Sequence, residues 1–268
     1  MRSMLQSFTW PSEAFWRRFE LAAVRRQHFG TPILELGCGD GSFTELAGLY
    51  VDEALDLSPR AVAKARRRTA VYGNVRTMDM RELGDVSETR FTTIFANSVL
   101  EHVPDLPGVL HACASLLVPG GSLITTVPLV SMNDHLVFRQ HHYAEWRRRE
   151  LRHHNLWGVD EWVTALRRAG FASVTCTGYL DPKSCRFWDA IDIVGSLGVS
   201  RFRVGRICRQ VLWPLLPRSL RRPIARGVAA KLLSAFENAD ELGAQPCAAL
   251  LVATTPTAAS PDDGEPPT

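Results

Sequence analysis

The residues best suited to chemistry begin in the run Ile33 to Gly41, Ile-Leu-Glu-Leu-Gly-Cys-Gly-Asp-Gly. An acid, Glu35, closes a short apolar segment. It is followed by Gly37, Cys38, Gly39 and Gly41, a loop nearly stripped of side chains. Glycine admits positive φ and close backbone approach, so such a loop can wrap tightly around a ligand. Further polar residues recur at intervals down the chain. Asp56 is a carboxylate placed to accept hydrogen bonds from a pair of ribose hydroxyls, and Leu57 follows it. Asp79 is an acceptor suited to an exocyclic amine, and its neighbour Met80 can pack on a flat ring. Asn97 comes next, then His102 in Leu-Glu-His-Val, a base that works near neutral pH. His135, His141 and His142 lie further on, and His153 with His154 follows an arginine-rich helix at 146–152. Paired histidines raise the question of a metal, but no carboxylate pattern accompanies these, and no metal is expected.

These residues need a frame to converge. Residues 11–28 read as a helix, with Phe15, Trp16, Phe19 and Ala23 at helical spacing. Strands are predicted at 33–36, 50–57, 74–78, 91–96, 122–127, 171–177 and 248–253. Helices are predicted from 42, from 59 to 68, from 107 to 117 and from 160 to 169. Ser58-Pro59 is a helix start, serine as cap and proline in the first turn. Pro119-Gly120-Gly121 reads as the stop of the helix before it. Alternating strands and helices imply a doubly wound, mostly parallel seven-stranded α/β sheet. In such a sheet ligands bind beyond the carboxyl ends of the strands, and Glu35, Asp56, Asp79 and Asn97 all fall there.

The ordered motifs Glu35-Leu-Gly-Cys-Gly-Asp-Gly41, Leu55-Asp-Leu-Ser-Pro59, Asn97-Ser-Val-Leu-Glu-His-Val103 and Leu117-Val-Pro-Gly-Gly121 resemble those of class I S-adenosylmethionine-dependent methyltransferases. The resemblance runs from Thr31 to Tyr179 and implies a Rossmann-like methyltransferase fold. It implies that Gly37, Cys38, Gly39 and Gly41 wrap the methionine and ribose portion of S-adenosylmethionine, with Glu35 and Asn97 near the amino-acid end. Asp56 and Leu57 would hold ribose, and Asp79 with Met80 adenine. One departure is visible. Phe91-Thr92 stands where the family commonly has Phe-Asp. A nicotinamide oxidoreductase fits poorly, because the glycine spacing differs and no Tyr-x-x-x-Lys relay is present.

Five segments are expected: an N-terminal helical segment (1–30), the cofactor domain (31–179), a helical basic cap (180–246), the last strand (247–255) and a disordered tail (256–268). The net charge of +3 is unevenly spread, with nine Lys and Arg and no acid between Gly195 and Ala235. Helical wheels of 202–213 and 224–236 each set an apolar arc against arginines. That suits either a cap over the core or a helix lying in a membrane interface. Nucleic acid is disfavoured, since the basic residues lack interleaved aromatic platforms. Six scattered cysteines without a Cys-x-x-Cys pair fit reduced thiols, and the charged N-terminal stretch does not read as a signal peptide. A cytoplasmic protein is expected, with attachment to a membrane surface through 195–236 as the open alternative.

The expected activity is methyl transfer to an oxygen of a small or amphiphilic acceptor, such as a lipid-linked sugar or polyprenyl compound, with His102 and His135 as the candidate catalytic histidines. Nitrogen or carbon methylation, or a non-catalytic regulatory role for a methyltransferase-like fold, stay open as alternatives. Oligomeric state is not addressed by any feature of the sequence.

Overall fold

The computed structural model describes residues 11–85, 90–196 and 245–257. In chain order the elements are α1 (Pro11–Val24), β1 (Ile33–Leu36), α2 (Ser42–Ala47), β2 (Val51–Asp56), α3 (Pro59–Ala65) and β3 (Tyr72–Thr77). There follow β4 (Phe91–Asn97), α4 (Leu106–Leu116), β5 (Leu117–Pro128), α5 (His141–Leu151), α6 (Val159–Arg168), β6 (Ser173–Leu180), α7 (Pro182–Ser196) and β7 (Ala248–Thr254). Short 3-10 turns at Met80–Asp85, Leu100–His102 and Val130–His135 follow β3, β4 and β5.

β1 is buried at every position, as a central strand covered on both faces requires. Leu34 and Leu36 pack with Leu110 of α4 and Trp162 and Leu166 of α6 on one face of the sheet. Ile33 faces the other way, toward Val51, Val62, Phe43 and Leu21. Ser58 caps α3 through a hydrogen bond from the amide of Ala61 (3.3 Å), with Pro59 in the first turn as its sequence predicts.

The strand order is β3-β2-β1-β4-β5-β7-β6. The chain leaves β1 in one direction for β2 and β3 and returns past it to β4, so the switch point lies between β1 and β4. The glycine loop opens there, where this topology leaves a crevice.

The sheet is mixed. The first five strands are parallel, but β7 runs antiparallel to both β5 and β6. Its direction follows from where it starts. The amide of Cys247 donates to the carbonyl of Leu180 (2.8 Å), so β7 begins at the end where β6 stops and must run back along it. Pro119-Gly120-Gly121 belongs to β5 and does not terminate the preceding helix. Gly120 has φ +76° and its amide donates to the carbonyl of Pro256 (3.0 Å), which bends the strand without ending it. The N-terminal helix stops at Val24, short of the expected residue 28.

Of the expected basic cap, the described part is α7, and it is not basic in character. Asp189 and Asp192 point from it to Arg147 of α5. Trp188 and Cys185 of α7 join Phe15, Tyr143, Met132 and Leu180 in a third apolar cluster that ties α1, α5 and α7 together. The amphipathic stretches 202–213 and 224–236, and residues 258–268 of the expected tail, lie outside the described residues. Among the described residues no helix is long and apolar enough to cross a membrane.

Candidate cofactor and acceptor site

Gly37, Gly39 and Gly41 all have positive φ (+69°, +56° and +77°). At Gly37 any side chain is excluded, since a Cβ would sit 2.6 Å from Cγ2 of Val99. At Gly39 a Cβ would meet nothing within 4 Å, so this backbone borders open space. The amides of Gly37 and Cys38 donate to the carbonyl of Leu55 (2.8 and 3.1 Å), folding the loop over the end of β2. Asp56 is fixed there. Its Oδ2 accepts from the amide of Gly39 (2.8 Å) and its Oδ1 from that of Ser58 (2.8 Å). Beside it Leu57 is 69% exposed, an apolar surface that flanks the carboxylate.

Glu35 is buried and engaged from beneath the loop. It accepts from the Thr44 hydroxyl (2.7 Å) and the Tyr72 hydroxyl (2.9 Å). Burial pushes its carboxyl up to about 7, against the lowering effect of those two bonds. Glu35 therefore anchors α2 and β3 to the loop. Cys38 is also buried, and burial raises its thiol, so it packs and is no nucleophile.

Asp79 pairs with Arg81, accepting from Nη2 (2.6 Å) and from Nε at both oxygens (3.1 Å each), and this bonding lowers its carboxyl. The pair is exposed, and such pairs exchange readily with a competing ligand. Met80 is partly buried against the core, beginning the 3-10 turn.

Asn97 ends β4. Its Oδ1 accepts from the Thr126 hydroxyl (2.9 Å), and its Nδ2 donates to Oε2 of Glu20 (3.2 Å). Sequence reading missed Glu20. It sits on α1, fully buried, and also accepts from Arg17 Nη1 (2.7 Å), Trp16 Nε1 (2.8 Å) and the Ser98 hydroxyl. The signal was present as an acid four residues from Trp16 on the apolar side of an amphipathic helix.

Next to this cluster lies a cavity of about 370 Å³, lined among others by Trp16, Arg17, Ser98, His102, His153 and Trp188. His102 Nδ1 lies 3.1 Å from the carbonyl of Arg152, which assigns the ring proton to Nδ1 and leaves Nε2 with a free lone pair. Burial, the largest influence, holds this imidazole below its ordinary 6.5, while the Arg152 carbonyl works the other way. The segment carrying Arg152 and His153 is stitched down. The amides of His154 and Asn155 donate to the carbonyl of Glu101 (2.8 and 3.0 Å), and Asn155 Nδ2 donates to those of Leu100 (2.9 Å) and Val103 (2.6 Å).

His102 and His153 lie with ring centres 5.3 Å apart, and Glu101 Oε1 is 3.8 Å from His102 Nε2. Burial pushes Glu101 up to about 8 and His153 down to about 3. The ligand atoms of Glu101, His102 and His153 lie within 4.8 Å of one another. Glu101 and His102 thus lie beside His153, one member of the pair at 153–154, although they come from a distant part of the chain. His135, the other expected catalytic histidine, sits on the turn after β5 and does not line the cavity. His141 and His142 are exposed at the start of α5.

The fold is that of a class I S-adenosylmethionine-dependent methyltransferase domain. The chain belongs to the methyltransferase-domain family, which matches residues 13–176. A ubiquinone biosynthesis O-methyltransferase from Xanthomonas euvesicatoria is 36% identical over 111 residues, 40% of this chain and 46% of that protein. The chain thus matches less than half the length of that relative. Among solved structures, a phosphoethanolamine N-methyltransferase 2 from Haemonchus contortus in complex with S-adenosylmethionine has a TM-score of 0.55 at 18% identity, covering 90% of this chain and 53% of that one. The [4+2]-cyclase SpnF has a TM-score of 0.57 at 17% identity, covering 91% and 82%. The fold is therefore shared with proteins of quite different chemistry.

The residues present fit S-adenosylmethionine. Open space beside Gly39, a fixed carboxylate at Asp56 and the exposed apolar face of Leu57 together match a ribose and its base. Asp56→Ala removes this hydrogen-bond acceptor and is expected to raise the dissociation constant for S-adenosylhomocysteine about 30- to 100-fold, read by calorimetry. An unchanged constant would place the ribose elsewhere.

Proposed function

We propose that this protein transfers the methyl group of S-adenosylmethionine to an oxygen of a small or amphiphilic acceptor, whose reacting end sits in the cavity beside His102. One observation carries the reading: the Arg152 carbonyl fixes the tautomer of His102, so that Nε2 is free to accept a proton at the cavity wall. S-adenosylmethionine, when bound, would supply a methyl group on a sulfonium, to be taken by the acceptor oxygen as the carbon–sulfur bond breaks with release of S-adenosylhomocysteine. The hydroxyl proton passes to Nε2 of His102. A sulfonium is already a strong electrophile, so this chain's residues contribute alignment, exclusion of water and the base. The name of the Xanthomonas relative, an O-methyltransferase, supports the same acceptor atom.

The cavity is the size of a small-molecule site and suits a polar head group, with a lipid-linked sugar or polyprenyl compound extending its tail outside. The basic segment 195–236 suits such a substrate, because cationic stems beside apolar arcs favour an anionic membrane surface. An amine acceptor is the second reading, favoured by the acids around the cavity: Glu13, Glu101, Glu150 and Asp192.

A pH profile separates the two. A base must be neutral to act, and partial desolvation lowers His102 from its ordinary 6.5, which favours the neutral ring. For a hydroxyl acceptor, kcat/KM is expected to hold constant from pH 8 down past 6.5 and to fall only at lower pH. An amine acceptor would instead show a limb rising toward the ammonium value of about 10. That outcome, with faster turnover of amine than hydroxyl analogues, would overturn the oxygen reading.

A further inference from the structure

Glu20 stands outside every motif of the cofactor loop, yet it is the most heavily hydrogen-bonded side chain near the end of β4. Five donors among the described residues converge on it. Its Oε1 accepts from Trp16 Nε1 (2.8 Å), the Tyr179 hydroxyl (3.4 Å) and the Ser98 hydroxyl, and its Oε2 from Arg17 Nη1 (2.7 Å) and Asn97 Nδ2 (3.2 Å). The donors come from α1, from the end of β4 and from β6, three elements that share no backbone hydrogen bond with one another at this point. A carboxyl group with no exposure to water is tolerated only with such a shell of donors, and the five hydrogen bonds fix those groups against it.

We propose that Glu20 is a positioning residue for the amino-acid end of the cofactor, acting through Asn97, Ser98 and Arg17; this rests on the S-adenosylmethionine reading of the site. Ser98 has φ +49°, a conformation that is unfavourable for a non-glycine residue and persists only when its surroundings over-determine it. The bond to Glu20, with those from its own amide to Thr126 (3.0 and 3.1 Å), does so. Asn97 is fixed in the same way. Thr126 takes its oxygen and Glu20 its amide nitrogen, which sets the amide orientation at the switch point. Arg17 uses one N–H on Glu20 and lines the cavity with the rest of its side chain. Through one carboxylate, α1 is fastened over the methionine half of the site, while the loop, Asp56 and Leu57 that face the nucleoside are untouched.

That division gives the test. S-adenosylhomocysteine carries the amino-acid end, whereas 5′-methylthioadenosine lacks it but keeps the nucleoside. In the full-length protein, Glu20→Gln puts an NH2 among groups that all donate. It is expected to raise the dissociation constant for S-adenosylhomocysteine about 10- to 100-fold and to change that for 5′-methylthioadenosine less than about threefold. Trp16→Phe removes one donor and keeps the ring. It serves where Glu20→Gln fails to fold, and is expected to shift the same ratio in the same direction by a smaller factor. Equal weakening of both ligands, or a loss of melting temperature with the ratio unchanged, would overturn the proposal and leave Glu20 a purely structural group. A wild-type protein that binds neither ligand would instead sink the cofactor reading, and this proposal with it.

Discussion

Replacing His102 with alanine is expected to lower kcat by about 100- to 10,000-fold, the usual contribution of a placed general base. The dissociation constant for S-adenosylhomocysteine should stay within about threefold of wild type, because the loop, Asp56 and Asn97 do not touch this ring. Arg152's carbonyl claims Nδ1, Nε2 remains an acceptor, and the ring stands at a cavity wall with Ser98 and Arg17. Partial desolvation lowers this imidazole and so favours the neutral form that a base needs, although its side chain is 43% exposed. Single-turnover kinetics with labelled S-adenosylmethionine would read the chemical step directly. Full turnover in the alanine variant, with cofactor binding unchanged, would remove His102 from the mechanism and favour an acceptor that needs no base.

The second large effect concerns stability. Arg147 is completely buried between two acids of α7. Its Nη2 donates to Oδ2 of Asp192 (2.8 Å), and its Nε approaches Oδ1 of Asp189 to 2.8 Å as an ion-pair contact without hydrogen-bond alignment. Asp189 also accepts from the Tyr143 hydroxyl (2.8 Å) and the amide of Val137 (2.9 Å), and Asp192 from the Ser12 hydroxyl (2.6 Å). This network joins α1, α5 and α7. Arg147→Met leaves Asp189 buried without its countercharge, and is expected to cost about 3–5 kcal/mol in urea unfolding. Adding Asp189→Leu should recover part of that loss, since an apolar pair of similar volume often replaces a buried ion pair at little cost. A single variant as stable as wild type would contradict the network's role.

Much of the glycine-loop end of the candidate site could be read from the chain because its parts are local. Glu35, the three glycines and Asp56 lie within one strand–loop–helix–strand unit. The spacing of apolar residues and glycines alone sets where their backbone goes. The methionine and acceptor half could not be read this way. Glu20 meets Asn97 and Ser98 across 77 and 78 residues of chain. His153 meets His102 and Glu101 only because the segment after α5 folds back on the turn after β4. No periodicity encodes such contacts. His135 looked as suitable as His102 by residue type, and only the path of the turn after β5 separates them. The direction of β7 was hidden for a similar reason. Alternation of apolar residues marks a strand, but direction depends on where the preceding chain delivers it. The residues of α7 read as the start of a basic cap, whereas two acids on that helix commit it to Arg147.

If this fold holds S-adenosylmethionine between the glycine loop, Asp56 and the end of β4, the by-product of methyl transfer must bind there too. Isothermal titration of the purified full-length protein with S-adenosylhomocysteine tests it most directly. Saturable one-site binding, roughly in the micromolar range, is expected. Absence of saturable heat up to millimolar ligand, in protein shown to be folded, would contradict it.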